Sequence, residues 1–262
     1  MTGAPIGLIA GSGRLPVLFA EAAGRAGRSV VTVAHEGETD PSVSAAAWVK
    51  VGQLGRIVEV LRRSGVTEAV LCGGIRKPRL FDLRPDWLGL KVIARLRGAG
   101  DDAGLRAIAD ALEEEGLRIV SPLPLLPELL VPRGPLGKRR LTDEERADAL
   151  VGLAAARVLG QADVGQTVVV KRGVILAAEA MEGTDACIAR GGAFAPGAVV
   201  VKARKPQQDD RFDVPTVGPA TLEACAAAGC AALAVEAGTT LVLDRSQLVA
   251  LADQAGIAVE GI

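Results

Sequence analysis

Residues 6–16 read Ile-Gly-Leu-Ile-Ala-Gly-Ser-Gly-Arg-Leu-Pro, and this stretch decides the fold class. A short apolar run at 6–10 stops at Gly11-Ser12-Gly13, and from 15 to 26 apolar residues recur at helical spacing until Gly27. A strand, a glycine turn and an amphipathic helix in that order open a βαβ unit. Moving outward, residues 30–34 predict a second strand, 53–63 an amphipathic helix ended by Gly65, and 68–72 a third strand closed by Gly73-Gly74. Helices are expected at 86–97 and 102–115 and a strand at 118–120. Such alternation implies a Rossmann-like parallel sheet covered by helices.

Residues 121–137 interrupt the pattern with Pro122, Pro124, Pro127, Pro132 and Pro135. Proline removes an amide donor and breaks both helices and central strands, so this segment is expected to link two domains, 1–133 and 134–262. Thr142 and Glu145 are spaced as a capping box and open a helix to about residue 159. Runs at 167–171 and 174–179 flank Arg172-Gly173 as a hairpin. A strand at 199–203, a helix at 220–228, strands at 232–236 and 241–243, a helix capped by Ser246 and a final strand at 257–259 complete a mixed α/β domain.

Composition narrows the function. Of 262 residues 49% are apolar, the formal net charge is −1, and no run of Lys and Arg suits nucleic acid. No apolar stretch approaches the length of a membrane span, and residues 1–12 read as a strand rather than a signal peptide. Cys72, Cys187, Cys225 and Cys230 lack metal-binding spacing, which with the other features places the chain in the cytoplasm. The single histidine, His35, cannot build a two-metal His/Asp centre, and no G-x-S-x-G accompanies it for a serine triad. Any hydrolytic chemistry here falls to carboxylates and a metal.

The densest polar cluster, residues 202–215, follows the strand at 199–203, where α/β sheets place ligands. Lys202, Arg204, Lys205 and Arg211 suit phosphoryl oxygens, and Asp209 and Asp213 suit a divalent cation or a water; a solvated, self-neutralising loop is the alternative. In an extended chain Asp209, Arg211 and Asp213 share one face, and Pro215 holds its predecessor extended. A second cluster, Glu179, Glu182, Thr184 and Asp185, also lies at a strand end. Capping explains Thr184 and Asp185, whereas Glu179 after an apolar run needs a metal or an ion pair. Gly11, Ser12 and Gly13 present a strand-to-helix turn suited to an anion, and Arg76, Lys77 and Arg79 follow the third strand. Gly100-Asp101-Asp102 most simply caps a helix.

The motifs at 162–170, 179–185 (EAMEGTD) and 205–218 (KPQQDDRFDVPTVG) resemble the C-terminal signature of LpxI-type pyrophosphatases. GLIAGSGRLP, CGGIRKP and GDDAGLR resemble the N-terminal one, in matching order over nearly the whole chain. Gln207 stands where that pattern has glycine, and Cys72-Gly73 where it has a small residue and glycine.

The resemblance implies hydrolysis of UDP-2,3-diacylglucosamine to UMP and 2,3-diacylglucosamine 1-phosphate, in lipid A biosynthesis. It implies dependence on Mg2+, for which Mn2+ is the alternative, and a substrate held by a domain pair. On this expectation Asp213 and Asp209 are catalytic, and Lys202, Lys205, Arg211, Arg76, Gly11, Ser12 and Gly13 bind phosphate. Asp209, Asp213, Glu179, Glu182 and Asp185 are the candidate metal ligands. The protein is expected in the cytoplasm, touching the inner membrane reversibly through an apolar patch near the interdomain cleft, without nucleic acid; a homodimer is compatible with the sequence. A non-catalytic uridine-nucleotide or lipid-binding protein, a Nudix-type or other nucleotide-sugar pyrophosphatase and a dinucleotide oxidoreductase are the competing readings. Turnover with release of UMP separates the first reading from a binding protein.

Overall fold

A computed structural model describes residues 3–75, 84–95 and 101–262. It separates into two compact units, Met1–Pro127 with Asp209–Asp213, and Glu128–Gln208 with Val214–Ile262.

The first unit contains strands β1 (Gly3–Ala10), β2 (Arg28–His35), β3 (Ala47–Val49), β4 (Glu68–Cys72) and β5 (Arg118–Ile119). They form a parallel sheet in the order β3-β2-β1-β4-β5, with Ile6 of β1 opposite Val30 on one side and Glu68 on the other. Helices α1 (Leu15–Arg25), α2 (Leu54–Arg63), α3 (Trp87–Arg95) and α4 (Asp101–Glu114) fill the connections. Neighbouring residues along a strand face opposite sides. Ile9 and Val33 therefore join Ile57, Leu61, Leu88 and Leu112 of α2, α3 and α4 in one apolar cluster, while α1, with Phe19 fully buried, packs over β1, β2 and β4. This is the expected doubly covered parallel sheet. The three-residue β3 was not legible, because residues 47–49 are too few to show a period.

In the second unit α5 (Asp143–Gln161) begins as expected. The Thr142 amide donates to Glu145 Oε2 at 2.9 Å and the Glu145 amide to Thr142 Oγ1 at 3.2 Å, a complete capping box. β7 (Thr167–Lys171) and β8 (Val174–Ala178) form the expected hairpin. Its turn residues Arg172 and Gly173 have φ of 48° and 75°, the two positive values that a type I′ turn requires. The chain continues through α6 (Thr184–Gly192), β9 (Val199–Lys202), β10 (Thr216–Val217), α7 (Pro219–Ala227), β11 (Ala232–Val235), β12 (Leu241–Val242), α8 (Arg245–Ala255) and β13 (Ala258–Gly261).

The larger sheet has the order β6-β13-β11-β9-β7-β8, where β6 is Gly134–Pro135. β13, β11 and β9 run parallel; the hairpin and β6 are antiparallel additions. The proline-rich stretch thus carries an edge strand as well as the connection, and an edge is where a sheet accepts proline. Val169 and Val200 face α6, α7 and α8, whereas Val168, Val170, Val199 and Val201 face α5. Both faces are covered, so these strands read as continuous valine runs, each side chain contributing about 1.5–3 kcal/mol on burial. The α5 helix presses close enough that a Cβ on Gly152 would meet Val201 Cγ2 at 2.4 Å.

Two expected caps are corrected. The N-cap of α8 is Asp244, in a left-handed conformation at φ 46°, and Ser246 lies inside the helix. The N-cap of α6 is Gly183, and the Thr184 hydroxyl is engaged elsewhere. The four cysteines are buried free thiols. Among the described residues no helix is long and apolar enough to cross a membrane.

Candidate functional site

The carboxyl end of β9 carries the main cluster. Lys202, its last residue, pairs with Thr167 of β7 on one side and Val235 of β11 on the other. Only 8% exposed, its ammonium donates to the Thr216 carbonyl at 3.0 Å and to Thr184 Oγ1 at 3.3 Å. Thr184 donates in turn to Glu179 Oε1 at 2.9 Å, and the Gln166 amide donates to Glu179 Oε2 at 3.1 Å. A single hydroxyl both accepts from the lysine and donates to the carboxylate, which separates two buried charges while satisfying both.

This arrangement corrects two readings. Thr184 is not a helix cap, since it is the first residue inside α6, after the N-cap Gly183. Glu179 survives at the end of an apolar strand through hydroxyl and amide donors, so neither a metal nor a direct ion pair is needed to explain it. Nothing in the local sequence pairs Lys202 with Thr216 or Glu179 with Gln166, because the partners are 14 and 13 residues apart.

Beyond β9 the chain is pinned at each step. The Arg204 amide donates to Glu236 Oε2 at 2.8 Å, and its guanidinium to the Gln208 carbonyl at 2.7 Å. Lys205 Nζ donates to Asp163 Oδ1 at 2.7 Å, with Asp163 itself held at φ 53°. Gln208 is 3% exposed, and its Oε1 accepts the Lys205 amide.

Residues Asp209–Asp213 belong to the first unit. They are not extended, and the alternation expected to align Asp209, Arg211 and Asp213 does not occur. Asp209 Oδ1 accepts the Arg211 amide at 3.0 Å, and the Asp209 carbonyl accepts the amides of Phe212 and Asp213 at 3.2 and 3.1 Å. An aspartate that bonds the amide two residues on closes a turn, and that local bond outcompetes the extended form. The Arg211 guanidinium grips Asp209 through Nε and Nη2 at 3.0 and 2.8 Å and reaches Glu113 of α4 at 3.1 Å. Arg106, one helical face along α4, lies 3.9 Å from Asp209. The bond from Arg211 holds the Asp209 carboxyl below its ordinary value despite partial burial. Phe212 packs into the apolar cluster under the first sheet and anchors the turn.

The remaining candidates are dispersed. Glu182 accepts Arg190 Nη2 at 2.6 Å, its pKa is lowered first by a backbone hydrogen bond and then by Arg190, and Asp185 is exposed on the first turn of α6. Among the described residues no three His, Cys, Asp or Glu side chains converge as metal ligands. Asp209, Glu179 and Glu182 are each committed to cations, hydroxyls or amides, so the described carboxylates do not fit a cation cage built by protein alone. A magnesium ion needs only one or two carboxylates when substrate phosphates complete its shell.

In the first unit the carboxyl ends of β1 and β4 lie side by side at the point where the strand order reverses, the place for a ligand crevice. Here the backbone is zipped. The Gly11 amide donates to the Cys72 carbonyl and the Ser12 amide to the Gly74 carbonyl, both at 2.8 Å, and Ser12 Oγ donates to Gly74 at 2.9 Å. Gly11 is glycine because a Cβ would stand 2.5 Å from the Gly74 oxygen. Gly13, at φ 85°, turns the chain into α1. Arg76, Lys77 and Arg79 lie outside the described residues, as does Gly100.

Beside this turn the structure reveals a buried group that the sequence did not single out as a site. His35 Nδ1 lies 2.8 Å from the Ala10 carbonyl, which also accepts the Thr39 hydroxyl at 2.6 Å. A carbonyl can only accept, so Nδ1 carries the proton; burial pushes the His35 pKa down against that bond.

Residues 5–129 match the LpxI N-terminal domain and residues 132–260 the LpxI C-terminal domain. The chain is 40% identical over 271 residues to the UDP-2,3-diacylglucosamine pyrophosphatase LpxI of Caulobacter vibrioides, an alignment that covers 98% of this chain and 97% of that protein. With both of its halves and nearly its full length accounted for, the chain belongs to the LpxI family.

Proposed function

We propose that this protein hydrolyses the pyrophosphate bond of UDP-2,3-diacylglucosamine, releasing UMP and 2,3-diacylglucosamine 1-phosphate. The observation that carries this reading is the near full-length identity to a pyrophosphatase of that substrate. The chemistry of the site supports it. Cleavage of a phosphoric anhydride needs cations on the phosphoryl oxygens, a placed water and a stabilised leaving phosphate. Lys202, Arg204, Lys205 and Arg211 supply positive charge within ten residues of chain. Lys205 and Arg211 already hold carboxylates, so substrate binding would exchange an aspartate oxygen for a phosphoryl oxygen rather than gather loose side chains.

In this reading Asp213 acts on the attacking water. It leaves the Asp209 turn just before Val214-Pro215, and the proline restricts the backbone that aims it. A magnesium ion would be held by one or two of the candidate carboxylates, Asp213 among them, together with substrate phosphoryl oxygens, and would neutralise charge on the pyrophosphate. A two-chain lipid substrate also implies reversible contact with a membrane surface.

The test is incubation with UDP-2,3-diacylglucosamine and Mg2+, with UMP and the sugar phosphate read by chromatography. Asp213→Ala should keep its fold by circular dichroism and bind substrate while kcat falls by orders of magnitude. Saturable binding with no turnover by the wild type would make this a binding protein. Near-normal kcat in Asp213→Ala would remove Asp213 from the chemistry.

A further inference from the structure

Helix α3 is apolar on two sides. Leu88, Gly89 and Val92 are buried against the first unit's core. Trp87, Leu90 and Ile93, spaced i, i+3 and i+6, are 65%, 57% and 40% exposed, a second stripe turned to solvent. A nine-residue helix needs one apolar face to dock, and these three large side chains leave a second apolar surface exposed.

The surroundings are basic. Arg84 is exposed just before the helix, Lys91 Nζ stands 5.9 Å from the Trp87 ring centroid, and Arg95 is exposed in the last turn. Over the described residues 84–95 the sequence holds Arg84, Lys91 and Arg95 against Asp86, a surplus of two in a chain whose net charge is −1. Glu114 neutralises one charge of the Lys91 and Arg95 pair.

We infer that the outward face of α3, formed by Trp87, Leu90 and Ile93 with Arg84 beside them, docks on an anionic lipid bilayer. The inference deepens the proposed function and rests on it for the reason a bilayer is visited, since a diacylated substrate resides there. The charge decides the occupant. An apolar stripe set in a cationic field suits acidic headgroups above acyl chains, and tryptophan favours that interface. A second copy of the same face would bring two cationic fields together.

The experiment uses the full chain with vesicles of phosphatidylcholine, with and without phosphatidylglycerol. Wild type should co-sediment with the phosphatidylglycerol vesicles and release them at high salt. Leu90→Gln/Ile93→Gln, both exposed positions, should bind them about tenfold or more weakly while hydrolysing detergent-dispersed substrate at the wild-type rate. In a Trp48→Phe background Trp87 is the only tryptophan, and its emission should shift to the blue on binding. Equal sedimentation of the variant and wild type, or equal binding to neutral vesicles, overturns the inference. So does conversion of a dimer to a monomer by the variant with vesicle binding unchanged. Absence of turnover in detergent, with vesicle binding intact, would instead count against the proposed function and leave this surface standing.

Discussion

Replacing Thr184 by valine probes the buried Lys202–Thr184–Glu179 chain with nearly constant volume. The hydroxyl donates to Glu179 at 2.9 Å and accepts from Lys202 at 3.3 Å. Hydrogen bonds to charged groups contribute roughly 1.5–3 kcal/mol each, and the longer one belongs at or below the low end. Glu179 keeps the Gln166 amide and Lys202 keeps the Thr216 carbonyl, so neither charge is stranded entirely. The expected loss is therefore about 2–3 kcal/mol in the second unit. Both tryptophans, Trp48 and Trp87, belong to the first unit, so fluorescence reports on that unit. The shift is read from urea unfolding followed by circular dichroism. Thr184→Ser retains the hydroxyl and should recover most of the loss. A valine variant within about 1 kcal/mol of wild type, or a serine variant no better than valine, would show that the hydroxyl does not bridge the two charges.

Gly11→Ala would place a methyl 2.5 Å from the Gly74 oxygen and 2.9 Å from the Gly73 carbonyl carbon, backbone that cannot rotate away. It should destabilise the first unit by about 1–3 kcal/mol in tryptophan-monitored urea unfolding, and a change under about 0.5 kcal/mol would refute the zipped turn. Burial holds the folded His35 below its ordinary value of 6.5, so the unfolded chain takes up the proton first. Its contribution to stability is complete above 6.5 and is lost as pH falls below it; the melting temperature of His35→Gln should show a shallower acid slope than wild type. Excess EDTA should abolish hydrolysis, while calorimetry of the substrate-free protein with Mg2+ should show little heat. Full activity in EDTA would remove the metal from the reaction, and tight binding without substrate would reveal a site made by the protein.

Much of the architecture was legible because its determinants are local. The strand Glu68–Cys72 lies between a helix stop and a glycine pair, the Thr142–Glu145 box spans three residues, and the Arg172-Gly173 turn requires only those two backbone angles. Valine runs covered on both sides announced buried strands, and strand–helix alternation announced the parallel sheet. The motifs at 179–185 and 205–218 marked the family, and they carry Thr184 and Thr216, which both bond Lys202 at the end of β9.

Tertiary structure alone decided what those polar residues do. Thr184 looked like a cap because caps are local, yet its proton goes to Glu179, and its oxygen receives Lys202 from 18 residues away. Asp209 turns locally onto the Arg211 amide, but it is Glu113, 98 residues away, that tertiary structure sets against the Arg211 guanidinium. The glycine turn at residues 11–13 looked like an anion cradle, but the carbonyls of Cys72 at the end of β4 and of Gly74 just beyond it take the amides of Gly11 and Ser12. Hydrogen-bond partners close in sequence follow from spacing. Partners brought together by the sheet order do not, because any of many donors and acceptors satisfies the same local pattern and only the packed chain selects one.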